Sequence, residues 1–276
     1  MSFKIQWQES PNYRSGRSGN SIIGICSHQT AGQFPGCLNW LCNSQVQASA
    51  HYVISRDGQI FQTVKDEDTA WHAGAVNNPN WSLYDGTNPN KVLIGIEHEC
   101  YPSVGGDGNL TDIQYEATLW LHKQLIKKWN IPVDRDHLIG HYQIDSVNRI
   151  NCPGSAFPWD KLISDLTQPT YTPINIQVNG QIFQGVANSG ISYAPVRAIA
   201  ESLNQTVTWD QAGNTVYVGF VPKYYQHTNN IKIAIKNIII DAIAIDGSTF
   251  SPVRKFAEAL GKTVCWDQNS NSVIIK

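Results

Sequence analysis

The sequence predicts a mixed α/β domain, a central sheet flanked by helices, followed by a smaller α+β domain made of two repeats. Three observations carry this. Short apolar, β-rich runs alternate with helical patterns through the first half of the chain. A polar stretch bracketed by prolines, TQPTYTP at residues 167–173, then interrupts any helix or central strand. Beyond it the sequence repeats itself: Pro195-Val196-Arg197, Ala200-Glu201, Leu203 and Trp209-Asp210-Gln211 recur as Pro252-Val253-Arg254, Ala257-Glu258, Leu260 and Trp266-Asp267-Gln268 at a constant offset. Matches held in register without a gap mark two copies of one supersecondary unit. The expected organisation is a first domain over 1–166, a linker over 167–173 and a tandem-repeat domain over 174–276.

The individual elements follow from local pattern. Residues 21–27, 49–55, 59–63, 93–100 and 138–141 are apolar and β-branched, as strands of a covered sheet tend to be. Residues 112–129 predict the best helix, with Ile113, Ala117, Trp120, Leu121 and Leu125 on one face and Thr111 with Gln114 as a capping-box signature. Two further helices are expected over 38–46 and after Pro158. Each repeat reads as strands, a helix opened by Pro195 or Pro252 at its first position, and a hairpin, with Ser251 placed to cap the second helix.

Composition limits the partners. A length of 276 residues suits two domains, and 41% hydrophobic with 15% charged residues describes an ordered globular chain. A net charge of -2 gives no basic footprint for nucleic acid. No run has the length of a signal-peptide core or of a membrane span, so a chain made in the cytoplasm without membrane insertion is expected. The six cysteines of such a chain are expected as free thiols, at most one of them on a metal.

Chemistry concentrates at a few positions. His28 ends the first strand in SHQTAG, His141 ends another in IGHYQID, and Cys152 follows in NCPG. Two imidazoles and a thiolate suit Zn²⁺ and leave one tetrahedral position open, although spacing alone does not establish the trio. Glu97 and Glu99 of IGIEHE lie two residues apart, so on a strand both face the same side while His98 faces the other.

The ordered motifs SHQTAG, SAHYVISRDGQIFQ, AWHAG, IGIEHE, IGHYQID and NCPG resemble those of N-acetylmuramoyl-L-alanine amidases of the type-2 amidase family, which share their fold with phage lysozymes and peptidoglycan-recognition proteins. The resemblance implies a zinc amidase that cuts bacterial peptidoglycan between glycan and stem peptide, with His28, His141 and Cys152 as metal ligands and Glu97 as acid/base. It implies a substrate-side position for His72 and its neighbour Trp71. His51, before Tyr52 on the second strand, reads first as a supporting or core histidine, with a direct role on the substrate side as its alternative. Relatives often carry a lysine two residues before the last ligand; here that position is Ile150, and the adjacent Arg149 is the candidate for stabilising the oxyanion. Asp145 is a rival ligand whose position does not match the aspartate of relatives, which aligns with Cys152. The 77–90 loop, with Trp81 and Tyr84, is expected to wall the substrate groove. The repeats resemble the copper-amine-oxidase N-terminal-like, or stalk, domain. They supply no histidine or thiolate cluster for copper, and cell-wall binding is the expected role. Together these features imply a phage or prophage endolysin, or an autolysin, acting at the cell wall.

Overall fold

The computed structural model describes residues 3–100, 106–169, 171–211, 213–220, 230–270 and 272–276. The chain divides into two compact units, Met1–Gln168 and Pro169–Lys276. Among the described residues no helix is long and apolar enough to cross a membrane.

In the first unit, strands β1 (Ile5–Trp7), β2 (Tyr13–Arg14) and β3 (Gly24–Gln29) precede helix α1 (Gly36–Leu41). Strands β4 (Tyr52–Ile54), β5 (Ile60–Gln62), β6 (Thr69–Ala70) and β7 (Leu93–His98) follow, then α2 (Asp112–Trp129), β8 (Leu138–Gly140) and α3 (Trp159–Thr167). Six strands form one sheet in the order β1-β5-β4-β7-β3-β8. Strands β4, β7, β3 and β8 are mutually parallel, and β5 runs against β4.

Side chains alternate across this sheet, and the alternation separates core from site. Ile25, Ile94, Ile96 and Leu138 face α2, where they meet Ala117, Leu121 and Leu125 in one buried cluster. Cys26, His28, Gly95 and Glu97, one residue out of phase, leave by the other face. Helix α2 has the bounds its apolar period predicts. Thr111 accepts the Gln114 N–H at its start, but the Gln114 side chain reaches the carbonyls of Ile54 and Glu99 instead of closing a capping box.

Two local expectations are corrected. Helix α1 stops at Leu41 and does not run to residue 46; the Leu41 carbonyl, which a longer helix would use, accepts from Asn12 Nδ2, which also reaches the carbonyls of Asn43 and Ala48. Ser251 does not cap a helix; it lies buried in a strand, and Pro252 is the residue at the helix boundary.

The second unit contains β9 (Thr172–Val178), β10 (Gln181–Asn188), β11 (Ile191–Pro195), α4 (Val196–Ser202), β12 (Val207–Asp210) and β13 (Thr215–Val218) from the first repeat. The second repeat adds β14 (Lys232–Ile235), β15 (Ile238–Asp241), β16 (Ile243–Ile245), β17 (Ser248–Pro252), α5 (Val253–Ala259), β18 (Val264–Asp267) and β19 (Ser272–Ile275). The repeats exchange their final hairpins. Hairpin β18–β19 pairs in parallel with β9, and hairpin β12–β13 pairs in parallel with β14. One core, including Ile176, Ile199, Ile233 and Phe256, therefore draws on both copies.

Candidate metal centre

Three adjacent strands deliver the site. Across the parallel β3–β7 pair, Cys26 stands opposite Gly95 and His28 opposite Glu97. On the other side of β3, strand β8 ends at Gly140, and His141 opens the short turn that follows. A Cβ at Gly140 would fall 2.6 Å from the Tyr142 ring and 2.8 Å from Pro153, so the turn bearing His141 and the loop bearing Cys152 close together over a residue without a side chain. The closure is fixed by the Tyr142 N–H on the Cys152 carbonyl at 3.0 Å. Asp145 Oδ1 accepts the N–H groups of Val147 and Asn148, which ties this carboxylate to the loop and occupies it there.

The structure brings His28, His141 and Cys152 together: their ligand atoms all lie within 4.8 Å of one another, and all three side chains are buried. Nδ1 of His28 and Nδ1 of His141 face each other at 3.0 Å. His141 uses its other nitrogen to reach the Ala73 carbonyl at 3.0 Å, which makes Nε2 the protonated position and leaves a lone pair on Nδ1. Burial and then the neighbouring imidazoles hold His28 well below the ordinary histidine range, and burial lowers His141. Burial and then Glu97 push the Cys152 thiol up to about 12. Two neutral imidazoles with converging lone pairs, and a thiol that ionises readily only against a cation, fit a zinc ion by donor type. Cys26, His28 and His72 also converge within 4.8 Å, but that group shares His28 through its inward nitrogen.

The two glutamates have separate environments. Glu99 lies past the end of β7; its Oε1 accepts the Phe34 N–H at 2.8 Å and its Oε2 the Arg56 N–H at 2.7 Å. Glu97 keeps Oε2 buried without a hydrogen-bond partner. Burial drives its carboxyl up to about 8, against the pull of Arg149. A buried carboxyl with an oxygen left free of hydrogen bonds is placed to accept a proton.

The remaining expected site residues are distributed differently. Arg149 is exposed on the loop before Cys152, and its charge acts on His28, His141, Glu97 and Cys152. Trp71 is 36% exposed. His72 and His51 are both buried against the sheet, and for His51 this is the core position read first from its place on the second strand. His72 places Nδ1 3.0 Å from His28 Nε2, behind the group of His28, His141 and Cys152. His51 is fully buried, with the Gly95 N–H on Nδ1 and Arg17 Nη2 and the Asp68 carbonyl at Nε2. Burial, then Arg17, pushes His51 down to about 3. In the 77–90 loop, Trp81 is core and not groove wall: it is buried with Leu93, Ile139 and Ile144, and its Nε1–H donates to the Asp136 carbonyl.

Sequence reasoning missed Arg17 and Asn90. The Arg17 guanidinium is buried and donates to the carbonyls of Asp66, Asn90 and Leu93. Asn90 Oδ1 accepts the N–H groups of both His72 and Ala73. Neither forms a motif with its partners, which lie 17 to 76 residues away.

Residues 18–155 match the model of the N-acetylmuramoyl-L-alanine amidase family, and residues 175–275 match that of the copper amine oxidase N-terminal domain. N-acetylmuramoyl-L-alanine amidase A of Achromobacter lyticus is 28% identical over 170 residues, covering 55% of this chain and 88% of that protein. The 1,6-anhydro-N-acetylmuramyl-L-alanine amidase AmpD of Haemophilus influenzae is 32% identical over 123 residues, covering 44% of this chain and 60% of its own length. A solved selenomethionine AmpD derivative aligns with a TM-score of 0.49 at 25% identity, over 60% of this chain and 100% of that one.

Proposed function

The chain belongs to the N-acetylmuramoyl-L-alanine amidase family, and from that premise we propose that its first unit hydrolyses the amide between N-acetylmuramic acid and L-alanine of bacterial peptidoglycan in a zinc-dependent reaction. The observation that carries the reading is the convergence of His28, His141 and Cys152 beside Glu97, whose Oε2 has no other partner. Zinc held by those three residues would supply Lewis acidity toward water and the amide carbonyl. Glu97 then accepts the proton of the attacking water and returns it to the departing L-alanine nitrogen. Arg149 contributes positive charge where the carbonyl oxygen becomes negative.

The second unit is proposed to hold the enzyme on the wall, raising its local concentration on an insoluble polymer. Together the two units suit an endolysin of phage or prophage origin, or an autolysin. The AmpD relatives favour one second reading, an enzyme for soluble 1,6-anhydro-muropeptides.

One experiment addresses these points. Purified full-length protein is assayed for zinc, then incubated with sacculi and, separately, with soluble anhydro-muropeptides. About one zinc per chain, with new L-alanine amino termini and no new reducing ends from sacculi, is the expected result. Reducing ends without new amines would replace the amidase with a glycosidase. Binding without either product would indicate a recognition module, and cleavage of the soluble substrate alone would favour the second reading.

A further inference from the structure

Both histidines of the cluster are held from behind by consecutive residues. His72 presents Nδ1 to His28 Nε2 at 3.0 Å, and Ala73 presents its carbonyl to His141 Nε2 at 3.0 Å. Each contact takes up the ring nitrogen that a metal would leave free. The group behind a metal-bound histidine fixes its tautomer and ring orientation and strengthens it as a donor. Here both such groups come from one short segment just past β6, outside the sheet ladder.

That segment is tied down by one oxygen. Asn90 Oδ1 accepts the His72 N–H at 3.0 Å and the Ala73 N–H at 2.8 Å. Asn90 is itself immobilised in the turn before β7: its N–H donates to Asn88 Oδ1, its carbonyl accepts from Arg17 Nη1, and it is 8% exposed. The space for the His72 ring is provided by Gly95, where a Cβ would fall 2.3 Å from His72 Cγ. A hydrocarbon side chain at position 90 would leave two backbone N–H groups unpaired in a buried segment.

We propose that Asn90 is a positioning residue of the metal centre: by clamping His72 and Ala73 it sets which ring nitrogen His28 and His141 each turn toward the ion. The inference rests on the zinc reading given above. It also assigns His72 to orienting His28 and not to contacting substrate.

The test uses the zinc-loaded full chain and measures metal affinity by competition with a chromogenic chelator, together with the imidazole Nε2–H signals in ¹⁵N-edited NMR spectra. Asn90→Leu keeps the volume and removes the acceptor. It is expected to weaken zinc binding about 10- to 100-fold and to broaden or remove both Nε2–H signals. Asn90→Asp keeps the accepting oxygen and is expected to restore affinity and signals. His72→Phe keeps a ring in the pocket and the backbone N–H on Asn90 but removes the Nδ1 acceptor that the clamp holds against His28, so the His28 signal should be lost, the His141 signal kept and affinity reduced. This variant decides the question if Asn90→Leu does not fold. Native chain that takes up no zinc would sink the zinc reading and this one together. Native chain that binds zinc, with Asn90→Leu or His72→Phe binding it equally well, would overturn the clamp alone, as would equal loss in Asn90→Asp and Asn90→Leu.

Discussion

Glu97 stands opposite His28 in the parallel β3–β7 pairing, so both side chains leave the sheet on the same face, while Glu99, beyond the strand end, is bound to two backbone N–H groups. Position and hydrogen bonding thus give the two carboxylates different work. Glu97→Gln removes a proton carrier and little else; turnover should fall by about 10²- to 10⁴-fold with zinc content unchanged. Glu99→Gln turns an amide N–H₂ toward a donor it cannot bond, and should cost about 1–3 kcal/mol of stability. Kinetics and denaturation on both variants check this. Normal turnover in Glu97→Gln would move the acid/base role elsewhere.

Acid should destabilise the first unit through His122. Its Nδ1–H donates to the Thr118 carbonyl at 2.8 Å, its Nε2 is buried without a partner, and burial pushes its pKa from 6.5 down to about 4. Between these values the unfolded chain binds a proton that the folded chain refuses, so stability falls as pH drops from about 6.5 toward 4. The loss is at most on the order of 3 kcal/mol. His98, driven down to about 3 by burial and then by His122, acts in the same direction. Denaturation of metal-free protein at pH 7 and pH 5 should show the difference, and His122→Leu should shrink it. An unchanged difference in that variant would assign the acid sensitivity to other groups.

Gly95→Ala should injure the metal centre from inside the sheet. The new Cβ would lie 2.3 to 2.8 Å from three atoms of the His72 ring, which is itself held against His28. Overpacking of this kind costs about 1–3 kcal/mol, and a displaced His72 should weaken zinc binding as well. Thermal unfolding and chelator competition on the same sample read both effects. A variant with native stability and native affinity would show that the ring has room to move.

Legibility in the sequence followed the range of the interactions. Helix α2 was readable to its ends because its signals are local: an apolar stripe of helical period and a threonine cap. The ends of β3 and β8 were readable as positions for His28 and His141 because apolar runs stop there. Helix α1 was overextended because the Leu41 carbonyl at its end is taken by Asn12, about thirty residues upstream, a contact no local pattern shows. Asn90 and Arg17 left no trace because they bond to distant backbone, which any residue supplies. His72 was found as a residue, but its position beside His28 was not legible, since it depends on the missing side chain of Gly95.

The exchanged hairpins make a last prediction about the second unit. Strand β9 of the first repeat is paired on one side by β10 and on the other by β19 of the second repeat, and β14 of the second repeat is paired by β13 of the first. A single repeat would therefore expose the edges of β9 and β13 as well as half of a shared core. Truncation after residue 220 should not leave a half-sized domain. The remaining repeat should be cleaved rapidly in limited proteolysis, while the first unit resists and keeps its zinc. Wall binding, measured by co-sedimentation with sacculi, should disappear with the truncation. A protease-resistant first repeat in the truncated chain would show that each copy folds alone and that the exchange contributes little to stability.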